Sequence, residues 1–291
     1  MIKKIIICAF FITISASYSL AANPLWQGKG RIAVSCDGND HDQDDWSATP
    51  MSLALIAAMG VQDKLAIYVF SDHVWGNNKR SCVSGLNHYQ HMKKSALEGA
   101  ELFGFDKSRF ICAVDNPEYA YEKMKEQINC SSEENPLIIV AAGPMQVVGE
   151  AVNRADSDKL KYVTIISHSS WNNDHGKEHN GWTLNKIGEK FGKQLKIVQI
   201  LDQNGRKGEI EGLQADTYHF DWLKSEALRN NPAYQKGAIE WLYGRLQDGS
   251  LKGGKKMDVS DAGMFVFLFT GEEKNSPQSL EKILKNPCVG N

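Results

Sequence analysis

Arg31-Ile32-Ala33-Val34-Ser35-Cys36 runs directly into Asp37-Gly38-Asn39-Asp40-His41-Asp42-Gln43-Asp44-Asp45. The first six residues make a mostly apolar segment of strand length; the next nine hold five carboxylates. A strand with no alternation of polar and apolar residues is covered on both faces, which is the condition of a parallel sheet flanked by helices. In such a sheet ligands bind beyond the carboxyl ends of the strands. The acidic run therefore stands where a site is expected.

Further segments of the same kind are Leu65–Phe70, Phe110–Val114, Leu137–Ala141, Tyr162–Ser167 and Leu195–Leu201. Between them, Pro50–Met59, Gly85–Phe103, Glu118–Ile128, Met145–Ala155 and Thr183–Phe191 carry helical periodicity. This alternation predicts βαβ units and an α/β class: a Rossmann-like open, mostly parallel sheet with helices on both faces. Beyond Leu201 the pattern is mainly helical, over Phe220–Leu228, Ala233–Leu246, Asp261–Phe269 and Gln278–Leu284. Thr49-Pro50 reads as the opening of the first helix, because proline is favoured in a first turn. The stretch Lys252–Lys256 reads as a solvated loop.

Lys3 and Lys4, an apolar run over Ile5–Ile14 and the small residues before Ala22 have the three-part plan of a secretory signal peptide. The expected division is a signal peptide over 1–21 and one domain over 22–291, secreted or periplasmic, with no membrane association after cleavage. Lys and Arg total 33 against 35 Asp and Glu, a net charge of −2. That balance excludes a nucleic-acid partner held by phosphate contacts. Cys36 and Cys112 lie in apolar runs and read as buried small hydrophobes, leaving Cys82, Cys130 and Cys288 for any disulfide. No Cys-x-x-Cys or Cys/His spacing points to zinc.

Close carboxylates repel by about 1 kcal/mol in water at 4 Å and several-fold more in a protein cleft. No Lys or Arg occurs between Arg31 and Lys64, so a cation is the expected counter-charge. Oxygen-only ligands favour calcium or magnesium, and bidentate carboxylates favour calcium. An EF-hand starting at Asp40 fails, since Asp45 stands at its glycine position and Met51 at its bidentate glutamate. Gly38-Asn39-Asp40-His41-Asp42 looks like the Gly-Asn-His-Asp/Glu signature of two-metal phosphoesterases, which is an alternative reading.

Four segments in order resemble the inosine-uridine nucleoside hydrolase superfamily, as a distant, secreted branch. They are Asp40-x3-Asp44-Asp45, Ile138-Ile139-Val140-Ala141-Ala142-Gly143-Pro144-Met145-Gln146, Asn172-x5-Glu178-x-Asn180 and Ser260-Asp261-Ala262. The resemblance implies a calcium-dependent hydrolase of an N-glycosidic bond. Asp40 and Asp45, the Gln146 carbonyl and Asp261 would hold Ca2+, with Asp40 also accepting the proton of the attacking water. Asp37 is the alternative first ligand if the loop carries an insertion. Asp44, Asn172, Glu178 and Asn180 would grip sugar hydroxyls, and Asp72 or His73 lies near a further sugar contact. Two departures stand out: Trp46 replaces a small residue, and Ser260 replaces a histidine that protonates the leaving group. His41, His168, His175 and His179 are candidates for that acid. The expected partner is a small-molecule sugar or nucleoside, with homo-oligomerisation left open. A different glycoside, or calcium-dependent sugar binding without turnover, is the remaining alternative.

Overall fold

A computed structural model describes residues 23–40, 43–76 and 85–288. Its centre is a six-stranded sheet: β1 (Arg31–Cys36), β2 (Leu65–Phe70), β3 (Phe110–Cys112), β4 (Leu137–Ala142), β5 (Val163–Ser167) and β6 (Lys196–Gln199). The strand order is β3-β2-β1-β4-β5-β6, and every pairing is parallel. β1 and β4 pair from Arg31↔Leu137 to Cys36↔Ala142. Chain order reverses direction between them, and their carboxyl ends open the crevice where doubly wound sheets take ligands.

Side-chain alternation divides the core between the two faces. Ile32, Val34, Tyr68, Phe70 and Val140 face one side. There they pack with α1 (Asp45–Ala58), α2 (His88–Leu102), α8 (Ala238–Asp248), α9 (Gly263–Thr270) and α10 (Pro277–Lys285). Ala33, Ile67, Val69, Ile139 and Ile165 face the other, against α3 (Pro117–Asn129), α4 (Gln146–Arg154) and α6 (Leu184–Phe191). Two short helices, α5 (Ser170–Asp174) and α7 (Glu226–Arg229), complete the set among the described residues. None of the described helices is long and apolar enough to cross a membrane. The expected α/β class and doubly wound sheet are the observed ones.

The first helix starts earlier than Thr49-Pro50 predicts. Pro50 lies inside α1 and cannot donate to the carbonyl one turn back. The Ser95 hydroxyl, from α2, donates to the Trp46 carbonyl at 2.6 Å instead. That substitution lets α1 begin at Asp45 and puts its carboxylate in the first turn, where the helix dipole favours negative charge. The C-terminal third also holds a two-stranded antiparallel sheet, β7 (Gln214–Asp216) with β8 (Lys256–Asp258). Lys256 is thus a strand residue rather than the end of a loop. β8 delivers the chain to Ser260 and Asp261 through a short 3-10 turn.

Candidate active site

The loops after β1, β2, β4 and β5 and the turn after β8 carry the polar groups. Asp37 follows β1 directly, Asp72 lies two residues past β2, and Asp45 opens α1; all three are fully buried. The Asp72 N–H donates to the Cys36 carbonyl at 3.0 Å, locking the ends of β1 and β2 together. Ser71 reaches this corner with φ +55°, a left-handed conformation that costs a non-glycine residue free energy and persists where surroundings impose it.

Gly143 closes the floor. A Cβ there would run into Oδ1 of Asp72 and come within 2.8 Å of the Asp37 nitrogen, so only glycine allows β4 to approach. Oδ2 of Asp72 accepts a 2.6 Å hydrogen bond from Ser35, while its Oδ1 has no hydrogen-bond partner. Burial pushes the Asp72 carboxyl up to about 8, Ser35 partly opposes this, and the charge of Asp261 adds to it. Burial likewise raises Asp258, again with repulsion from Asp261. Acids from the end of β2 and from the β8 turn therefore act on one another across the crevice. An orphaned carboxylate oxygen among buried like charges is the environment a hard divalent cation relieves.

Trp46 lies wholly inside. Its indole N–H donates to the Gly38 carbonyl at 2.7 Å, and its ring stacks on His91 at 4.2 Å. The tryptophan thus holds the start of the acidic loop from beneath. Asn39 does the same from the side, exchanging two hydrogen bonds with the backbone of His73.

A cavity of about 130 Å³ is lined by Asp44, His168, Trp171, Asn172, Ser260 and Asp261. His168 Nε2 lies 2.6 Å from Oδ1 of Asp261, and Asn172 Nδ2 donates to the same oxygen at 3.4 Å. Burial alone would lower the imidazole's affinity for a proton; Asp202 and Asp261 outweigh it and raise His168 to about 9. Ser260 shares this wall with His168.

Asp40, Gln146, Glu178 and Asn180 do not line this cavity. Asp40 is half-buried on the loop, with its Oδ2 4.0 Å from His73 Nδ1 rather than on the buried floor. Gln146 begins α4, and its side chain accepts the Trp182 N–H at 2.9 Å. It lines a separate cavity with Asn180, which is exposed and left-handed at φ +55°. Glu178 is exposed on the same turn. The structure thus gathers Asp44, Asn172 and Asp261 in one cavity, and parts Glu178 and Asn180 from it. His41, Asp42, Cys82 and the expected signal peptide lie outside the described residues, and the four described cysteines, among them Cys130 and Cys288, are free.

Sequence reasoning passed over His73, His175 and His179 as a group, although one ligand nitrogen from each falls within 4.8 Å of the others. No Cys/His spacing in the sequence points to this group as a whole; the fold assembles it by bringing the loop after β2 to the turn after α5. The readable signal was the four-residue step of His175-Gly176-Lys177-Glu178-His179, the spacing that puts two imidazoles on one side of a helical turn.

No family model matches the chain. It is 30% identical over 247 residues to uncharacterized protein P22 of Formosa agariphila, covering 84% of each chain. Among solved structures it is similar to an inosine-uridine preferring nucleoside hydrolase from Bacillus anthracis. That likeness has a TM-score of 0.47 and 13% identity, over 88% of this chain and 99% of that one.

Proposed function

The chain belongs to one family with the P22 protein of Formosa agariphila, and for it we propose a calcium-dependent hydrolase that cleaves the N-glycosidic bond of a nucleoside-like substrate. The observation that carries the reading is the buried floor of Asp37, Asp45 and Asp72 at the crevice between β1 and β4, with an orphaned Oδ1 on Asp72. The four sequence segments named above support the substrate class.

Asp37, Asp45, Asp72 and Asp261 are the residues that would hold the cation. When bound, it supplies charge neutralisation of the floor and lowers the pKa of a nearby water. Asp37 is better placed than Asp40 to take the proton of a water attacking the anomeric carbon, being in the floor rather than on the rim. Asp44 and Asn172 hold sugar hydroxyls at the cavity wall. The surrounding carboxylates stabilise positive charge developing on the sugar ring as the base departs. His168 fixes Asp261 in orientation, and the enzyme works outside the cytoplasm after loss of residues 1–21.

Equilibrium dialysis with Ca2+ tests the floor. One site is expected in the wild type and none in Asp45→Asn; equal binding by both would remove the basis for the reading.

A further inference from the structure

The acidic floor is an oxygen site. Beside it lies a nitrogen site with different chemistry. His73 Nε2 and His175 Nε2 approach to 2.8 Å, and His179 brings a third ring nitrogen within 4.8 Å of both. We propose that His73, His175 and His179 form a second, separate metal site for a borderline-soft divalent ion of the zinc class. This inference does not depend on the hydrolase reading.

Ligand chemistry separates the two sites: imidazole suits zinc, cobalt, nickel or copper, whereas carboxylates alone suit calcium or magnesium. Nitrogens around a tetrahedral zinc, each at about 2.0–2.1 Å from it, lie roughly 3.3 Å apart. The His73–His175 pair needs to open slightly and His179 to close. His179 is exposed and ends a short helical turn, so the movement falls on the least constrained member.

Each ring is oriented from outside the cluster. Trp171 stacks on His175 at 4.2 Å with an interplanar angle of 18°, and Trp75 stacks on His179 at 4.3 Å and 12°. Asp40 faces Nδ1 of His73 at 4.0 Å, on the side away from His175. A mere hydrogen-bonded His–His pair explains neither the third imidazole nor the two indole supports. Three protein ligands leave a fourth position open, the arrangement of zinc sites that bind water or a ligand group.

Cobalt is the probe, because Co2+ in a four-coordinate nitrogen site absorbs visibly. Purified wild-type protein, His175→Gln, His179→Gln and Asp45→Asn are titrated with Co2+, then competed with Zn2+, with folding checked by circular dichroism. The exposed His179 guards against a variant that fails only by unfolding. The expected result is one absorbing Co2+ in the wild type and in Asp45→Asn, with affinity lowered more than about tenfold in both histidine variants. No visible band in the wild type, unchanged affinity in folded His179→Gln, or loss of the band in folded Asp45→Asn would each overturn the proposal.

Discussion

His168 and Asp261, ninety-three positions apart, meet at 2.6 Å between Nε2 and Oδ1. The contact ties the loop after β5 to the turn after β8, and so fixes the last acidic residue of the site. Asp202 stands 3.9 Å from the other ring nitrogen, so the imidazole lies between two carboxylates. His168→Asn leaves the Asp261 carboxylate without its strongest partner. Removing such an outer support costs roughly 10–100-fold in metal affinity. Isothermal titration with Ca2+ measures it, and unchanged affinity would remove His168 from the account.

Gly143 is required by close approach rather than by a turn. Gly143→Ala drives a methyl group into Asp72 and towards the Asp37 backbone. Overpacking of this kind costs about 1–3 kcal/mol. Urea denaturation is expected to show that loss together with weakened Ca2+ binding, since the floor is what moves.

Trp46 has two jobs that substitution separates. Trp46→Phe keeps the stacked ring but drops the hydrogen bond to the Gly38 carbonyl, worth about 0.5–1.5 kcal/mol. Trp46→Ala also empties a large buried volume, at about 3–5 kcal/mol. Equal losses in the two variants would mean that the hydrogen bond, not the packing, holds the loop.

Without a cation, stability is expected to fall as pH rises. Asp72 keeps its proton when folded up to about pH 8, against its ordinary 3.8. The folded state therefore binds the extra proton between those values, and its advantage shrinks as pH climbs through them. His168, raised from 6.5 to about 9, contributes fully below 6.5 and loses that contribution as pH rises through 9. Both effects have the same sign. Chelated protein should melt lower at pH 9 than at pH 6, and Asp72→Asn should flatten the slope; melting that rises over this interval would contradict both assignments.

The sheet was legible in the sequence because β1, β2, β4 and β5 are covered on both faces and read as mostly apolar runs. The edge strands β3 and β6 came out shorter than their expected runs, although Ala113, Val114 and Ile200 beyond them still donate to the backbone of the neighbouring strand or its end. β7 and β8, three residues each, are too short for any periodicity. The start of α1 was hidden because its hydrogen-bond defect at Pro50 is filled by Ser95, forty-five positions on. At the site, Asp37 and Asp45 stood out through charge density and their position after β1, and Asp261 only through the resemblance carried by Ser260-Asp261-Ala262. Asp72 was named only loosely, and what singles it out, the orphaned oxygen and Gly143 against it, exists only once strands pair. The histidine group needed His73 to meet a turn a hundred residues away.

The central claim is cation-dependent cleavage of an N-glycosidic bond, and turnover measures it most directly. Chelated wild type and Asp45→Asn are assayed with and without added Ca2+ on a panel of purine and pyrimidine nucleosides, following free base and reducing sugar together. The account predicts release of both in equal amounts by the wild type with Ca2+, and loss of release on chelation and in folded Asp45→Asn. Base release that persists in the chelated enzyme, or no release from any nucleoside by Ca2+-loaded wild type, would contradict it.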